Sequence, residues 1–211
     1  RACVSMGNYV FGADLLRRVV EEDAEREGSS HDMGRDIIPQ LVAEGEAWVY
    51  DFDDHRVPGQ GERERGYWRD VGTLDAYYQA SMDLVAVEPV FDLYNRRWPI
   101  LTSRFPWPPA KFVHEEGGRR GLAVNSLVAN GAVVSGGTVR RSILSAQVRV
   151  NSFAVVEESV LFDSVDVGRG AVVRRAVVDK NVRIPAGARI GVDEEADRER
   201  FTISDDGVVV I

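Results

Sequence analysis

Hydrophobic and polar positions in the last third of the chain repeat at a fixed interval of 17 residues. Ile143-Leu144, Val160-Leu161 and Val177-Val178 stand one interval apart, as do Val148, Val165 and Val182, and Val150, Val167 and Ile184. Small residues keep the same register: Ala154, Ala171 and Ala188, with Gly170 and Gly187 one place earlier. A fixed period marks a solenoid, in which each repeat buries its apolar face only by stacking on its neighbours. Short β-branched stretches broken by Gly, Asn, Asp and Pro predict several short strands per repeat, joined by tight corners. About six residues per face and about three faces per coil describe a parallel β-helix, running over residues 112–192. A sandwich of evenly spaced strands would not hold small residues in register with apolar ones.

The first 86 residues follow a different pattern, mixed α and β. Residues 9–11 read as a strand. Residues 14–27 place Leu15, Leu16, Val19 and Val20 at helical spacing and stop at Gly28-Ser29-Ser30. A second helix is predicted over residues 36–44, a strand over 47–52, a charged loop over 53–66 and a short strand and turn over 67–72. Residues 73–85 read as a helix capped by Thr73, with Asp75 and Asp83 on its polar side. Five of the eight prolines then fall between residues 88 and 112, which marks an extended connector. Trp98, Phe105 and Trp107 within it predict a connector pinned to a surface. At the far end, Asp193-Glu194-Glu195 and a strand over residues 201–211 form the cap that a solenoid needs over its last coil.

Charge and composition exclude several functions. A net charge of −8 argues against general nucleic-acid affinity, which needs a basic face. No apolar stretch approaches the roughly 20 residues of a membrane span, and no signal peptide is visible. A single cysteine, Cys3, leaves no internal disulfide and suits a reducing cytoplasm. The chain begins with Arg1, not Met, and runs at once into a strand-like stretch, as a cut through a longer polypeptide would. Of 26 basic residues only Lys111 and Lys180 are lysines.

The segment most suited to chemistry is Trp68-Arg69-Asp70-Val71-Gly72-Thr73. An aspartate between a strand end and a helix start lies where open α/β sheets place their ligands, and a carboxylate there suits Mg²⁺, a hard ion that bridges phosphates. A second reading stands beside it, in which Asp70 only caps the helix beginning at Thr73. Ser5-Met6-Gly7-Asn8-Tyr9 offers a hydroxyl, an amide and a flexible backbone suited to sugar hydroxyls. His31-Asp32-Met33-Gly34-Arg35-Asp36 reads as a loop and helix cap, because adjacent residues rarely converge on one ion. His114-Glu115-Glu116 lacks the second histidine of a zinc helix and reads as a solvated corner. The 211 residues contain no nucleophile elbow, no Cys-x-x-Cys and no Gly-rich phosphate loop.

In order, residues 5–11, 30–39 (Ser-His-Asp-Met-Gly-Arg-Asp-Ile-Ile-Pro) and 67–77 (Tyr-Trp-Arg-Asp-Val-Gly-Thr-Leu-Asp-Ala-Tyr) resemble the bacterial glucose-1-phosphate adenylyltransferase family. Trp98-Pro99-Ile100, Pro108-Pro109-Ala110-Lys111-Phe112-Val113 and the coils follow as they do in that family. The resemblance implies an α/β plus all-β fold: the C-terminal portion of a nucleotidyltransferase catalytic domain over residues 1–86, a Pro-rich connector over 87–111, and a left-handed parallel β-helix of hexapeptide repeats over 112–211. The family's nucleotide loop, first metal carboxylate and Glu-Lys-Pro sugar-phosphate motif would precede Ser5, so the chain resembles a C-terminal half that is inactive alone.

The implied reaction forms ADP-glucose and pyrophosphate from ATP and glucose 1-phosphate, in the cytoplasm, for glycogen synthesis. Asp70 would be a catalytic carboxylate and Mg²⁺ ligand, and Ser5, Gly7, Asp32 and Trp68 would meet glucose 1-phosphate. Lys180, and less directly Lys111, would bind an anionic sugar-phosphate effector, and the enzyme would be a homotetramer. A hexapeptide acyltransferase shares the coils but needs a histidine on them as general base; the histidines are 31, 55 and 114, outside residues 125–211. A sister enzyme using another nucleotide, and a purely structural or assembly fragment, remain as alternatives.

Overall fold

The computed structural model describes residues 4–103 and 105–211; Cys3 and Arg1 lie outside the described residues. The chain divides into two compact units, residues 1–55 and 56–211.

In the first unit, helix α1 (Ala13–Ala24) turns Val19 inward against Ile37 and Leu41, with Phe11, Leu15, Met33 and Ile38 around them. A π-helical turn, Met33–Ile37, leads directly into α2 (Ile38–Glu44), which ends at Gly45 in the left-handed conformation, φ 74°. The strands predicted over residues 9–11 and 47–52 are absent. A strand needs a neighbour for its N–H and C=O groups, and neither segment forms a ladder with any described residue; Phe52 instead opens a 3-10 turn, Phe52–Asp54. Val10, Trp48 and Val49 are correspondingly exposed.

The second unit holds the coils. One face stacks Lys111–Val113, Val133–Ser135, Arg149–Val150, Asp166–Val167 and Arg183–Ile184; a second stacks Leu122–Val124, Thr138–Arg140, Val155–Glu157, Val172–Arg174 and Arg189–Ile190. The third stacks Leu127–Val128, Ile143–Leu144, Val160–Leu161, Ala176–Val178 and Val209–Val210, all parallel, with Thr202–Ile203 antiparallel at its edge. The 17-residue step holds from Thr138↔Val155 to Val172↔Arg189; the pairings Leu122↔Thr138, Leu127↔Ile143 and Val133↔Arg149 are one residue shorter, and longer excursions separate Lys111 from Val133 and Ala176 from Val209. Val148, Val150, Val165, Val167 and Ala171 have no exposed surface, so the repeating apolar positions form the central column of the core.

Two kinds of corner contact tie coil to coil. Asn125, Arg141, Glu158 and Arg175 stack at one corner with φ of 48°, 44°, 47° and 42°. Side chains rarely take this left-handed conformation; here it lets the N–H of Arg141, Glu158 and Arg175 reach Val124, Arg140 and Glu157 carbonyls of the preceding coil at 3.0–3.1 Å. Beside them runs a serine ladder: the Oγ of Ser126, Ser142 and Ser159 accepts the N–H of Ser142, Ser159 and Ala176 in turn, at 3.1–3.2 Å.

Helix α3 (Leu74–Leu84) is capped by Thr73, whose Oγ1 accepts the Ala76 N–H at 3.1 Å, as predicted. It packs on the coils: Tyr78 is buried with Val160, Val177 and Val208, and its hydroxyl donates to the Glu158 carbonyl at 2.7 Å. Asp75 accepts from Ser204 Oγ and from the Asp206 N–H, and Gln79 donates to Asp206 at 2.8 Å. The end is closed by α4 (Glu194–Arg198), where the buried Asp197 accepts the Gly191 N–H and Arg200, both at 2.7 Å. The connector is held by a few contacts: Glu64 accepts the Asp92 N–H, the Asn95 side-chain amide donates to the Pro58 carbonyl, the Gly131 N–H donates to the Pro108 carbonyl, and Phe91 stacks on Tyr67. Trp98 and Phe105, expected to pin it, are instead more than half exposed. No helix among the described residues is long and apolar enough to cross a membrane.

Candidate functional site

The predicted site residues fall on both units. In the first, Gly7 has φ 74° and its N–H donates to Ser5 Oγ at 3.2 Å, forming a tight turn. The same Oγ lies 2.7 Å from the Tyr9 hydroxyl. A Cβ on Gly34 would meet Tyr9 Oη and Asp32 Oδ1, each at 3.5 Å. Ser5 thus meets Tyr9, and Tyr9 and Asp32 both flank Gly34, where a Cβ would stand at ordinary contact distance from each. Tyr9 stands in the sequence both at the end of the segment suited to sugar hydroxyls and at the start of the predicted strand, with no role of its own. Asp32 Oδ1 also accepts the Arg35 N–H at 2.7 Å, capping the π-helical turn. Asp36 is the second tie in this loop. It accepts from Ser30 Oγ and the Asp32 N–H, and these hydrogen bonds hold its carboxyl below the usual range.

In the second unit, Trp68 and Asp70 lie on an exposed loop ahead of α3, without the predicted strand. Asp70 does not cap the helix, which Thr73 does. Its Oδ1 instead accepts the Gly72 N–H at 3.0 Å, and a Cβ on Gly72 would lie 3.2 Å from that oxygen. Arg69, between them, pairs with Asp83 at 2.5 Å, fixing the loop to the helix surface. Asp70 therefore presents a solvent-facing carboxylate on a turn closed by the Gly72 N–H. Among the described residues no group of three or more His, Cys, Asp or Glu could hold a metal. A single carboxylate matches the way Mg²⁺ is held, by one or two carboxylates with the rest of its shell from water and phosphate.

Lys111 and Lys180 are far apart in the stack. Lys111 opens the first strand of its face, and Lys180 stands just ahead of the fifth, Arg183–Ile184; four strand spacings separate these strands, roughly 19 Å. Lys180 is exposed and its N–H donates to Asp179 Oδ1 at 2.7 Å. The arginine-rich corner of the coils, a shallow cavity of about 490 Å³ lined by Arg140, Arg141, Glu157, Glu158, Arg174 and Arg175, balances much of its own charge. Arg141 pairs with Glu158 at 3.2 Å and Arg174 with Glu157 at 2.9 Å.

Residues 1–86 match the family pattern described as nucleotidyl transferase, and residues 108–211 match that described as GlmU-like, C-terminal hexapeptide. The chain is 59% identical over 208 residues to a glucose-1-phosphate adenylyltransferase of Frankia casuarinae, covering 98% of this chain and 50% of the relative. It is 59% identical over 212 residues to the enzyme of that name from Thermus thermophilus, covering 100% and 51%. To that of Corynebacterium jeikeium it is 56% identical over 208 residues, covering 98% and 50%. The chain spans about half the length of the curated relatives it matches.

Proposed function

Because the chain belongs to the glucose-1-phosphate adenylyltransferase family, we propose that it is the C-terminal half of an enzyme making ADP-glucose and pyrophosphate from ATP and glucose 1-phosphate. A phosphate oxygen of glucose 1-phosphate attacks the α-phosphorus of ATP. The new P–O bond forms as the bond to the β-phosphate bridging oxygen breaks, and pyrophosphate leaves. No covalent bond to the protein is needed, so the residues act by position and charge.

Ser5, Gly7 and Asp32 would supply a hydroxyl, an open backbone turn and a carboxylate to the sugar, and Trp68, in the second unit, is proposed separately as an aromatic contact to glucose 1-phosphate. Asp70 would hold Mg²⁺, which when bound neutralises charge on the phosphates. Lys180, with Lys111 as the weaker candidate, would bind an anionic sugar-phosphate effector, and the assembly would be a homotetramer in the cytoplasm.

The observation that carries the reading is Asp70: an exposed carboxylate fixed by Gly72, and not spent on the helix cap. In the full-length enzyme, Asp70→Asn should reduce kcat by at least a hundredfold, several kcal/mol of transition-state charge stabilisation. Glucose 1-phosphate binding should change much less. Steady-state kinetics with both substrates checks this, and near-normal kcat would reduce Asp70 to a turn residue.

A further inference from the structure

Asp23, in the last turn of α1, is 3% exposed, a rare position for a carboxylate. Its Oδ1 accepts Ser29 Oγ at 2.8 Å and lies 3.6 Å from Arg26 Nη1. Its Oδ2 lies 3.0 Å from His31 Nδ1. Hydrogen bonds, first from His31 and then from Ser29, hold the Asp23 carboxyl below its ordinary range. At neutral pH it is therefore a carboxylate, which only accepts, and this fixes the proton on His31 Nδ1.

The imidazole is otherwise more than half exposed, with Nε2 directed away from Asp23. His31 also has φ 55°, and its N–H donates to Ser29 Oγ at 3.0 Å. Left-handed backbone at a residue with a large side chain persists only where surrounding contacts hold it. Those contacts are Ser29 and Asp23. The next residue is Asp32; its Oδ1 and the Tyr9 hydroxyl each lie 3.5 Å from where a Cβ on Gly34 would stand.

We propose that Asp23, Ser29 and His31 form a latch that sets the backbone at residue 31 and so positions Asp32 against the sugar. His31 acts through Nδ1, as a positioning residue and not as a group touching substrate. The inference rests on the reading of Asp32 as a glucose contact.

The two ring nitrogens can be tested separately in the full-length enzyme. Asparagine tolerates left-handed backbone and places an amide nitrogen where Nδ1 stands; glutamine places one nearer Nε2. His31→Ala should raise the KM for glucose 1-phosphate about tenfold, the scale of one lost charge-assisted hydrogen bond, with the KM for ATP unchanged. His31→Asn should return it to within about threefold of wild type, and His31→Gln should not. Ser29→Ala should move the same constant in the same direction.

Rescue by glutamine and not asparagine would overturn the proposal in favour of a direct Nε2 contact. An unchanged KM in His31→Ala would show the latch to be idle. Wild-type enzyme is assayed first: absence of ADP-glucose formation there removes the functional reading itself, whereas an active wild type with indifferent variants removes only the latch.

Discussion

At Ser159 one hydroxyl serves two coils. It donates to the Glu157 carbonyl at 2.7 Å and accepts the Ala176 N–H at 3.2 Å, with no surface exposed to water. Ser142 does the same one coil earlier. Ser159→Ala removes the acceptor and leaves a buried N–H without a partner, a cost of about 1–3 kcal/mol. Thermal or denaturant unfolding of the protein should register that loss. The apolar column was legible from sequence because burial demands the same residue class at every step. The serine ladder was not, because its first step is 16 residues and the next 17, and serine is equally at home in any solvated turn. The left-handed corner at Arg141, Glu158 and Arg175 was hidden for a related reason: inter-coil hydrogen bonds, and not glycine, sustain it.

At the scale of elements, α3 was legible down to its cap, since Thr73 followed by helical spacing is a local signal. Its docking was not, because Tyr78 reaches a carbonyl 80 residues away. Burial raises the Tyr78 phenol above its ordinary value, the chief cause being loss of water around the charged form. A group raised in the fold contributes its full stability below the ordinary phenol value of about 10 and loses it as pH climbs through the folded value. Tyr78→Phe should therefore cost about 1 kcal/mol at neutral pH, the worth of the hydrogen bond, and the gap from wild type should narrow above about pH 10. Chemical denaturation at two pH values measures both. Sequence misled at residues 9–11 and 47–52: alternation and β-branching report that a segment can be a strand, but pairing is a property of its neighbours.

For the molecule as a whole, the proposed effector contact is Lys180, an exposed residue on the turn after Ala176–Val178. A charge-assisted contact to a phosphate is worth roughly 1.5–3 kcal/mol. In the full-length enzyme, Lys180→Ala should raise the sugar-phosphate concentration for half-maximal activation by about tenfold or more. Activation curves over a set of sugar phosphates check it, and a collapse of unactivated turnover with activation intact would make Lys180 a folding residue. The docking of α3 bears on a different matter, the exchange of parts between relatives. Residues 56–211 form one compact unit, so Trp68 and Asp70 belong to the same unit as the solenoid, although they lie in the stretch that matches the nucleotidyl transferase pattern. A chimaera joined at residue 112 would pair a foreign α3 with Glu158, Ser204 and Asp206, whereas a junction near residue 56 would carry the helix and its own seat across together.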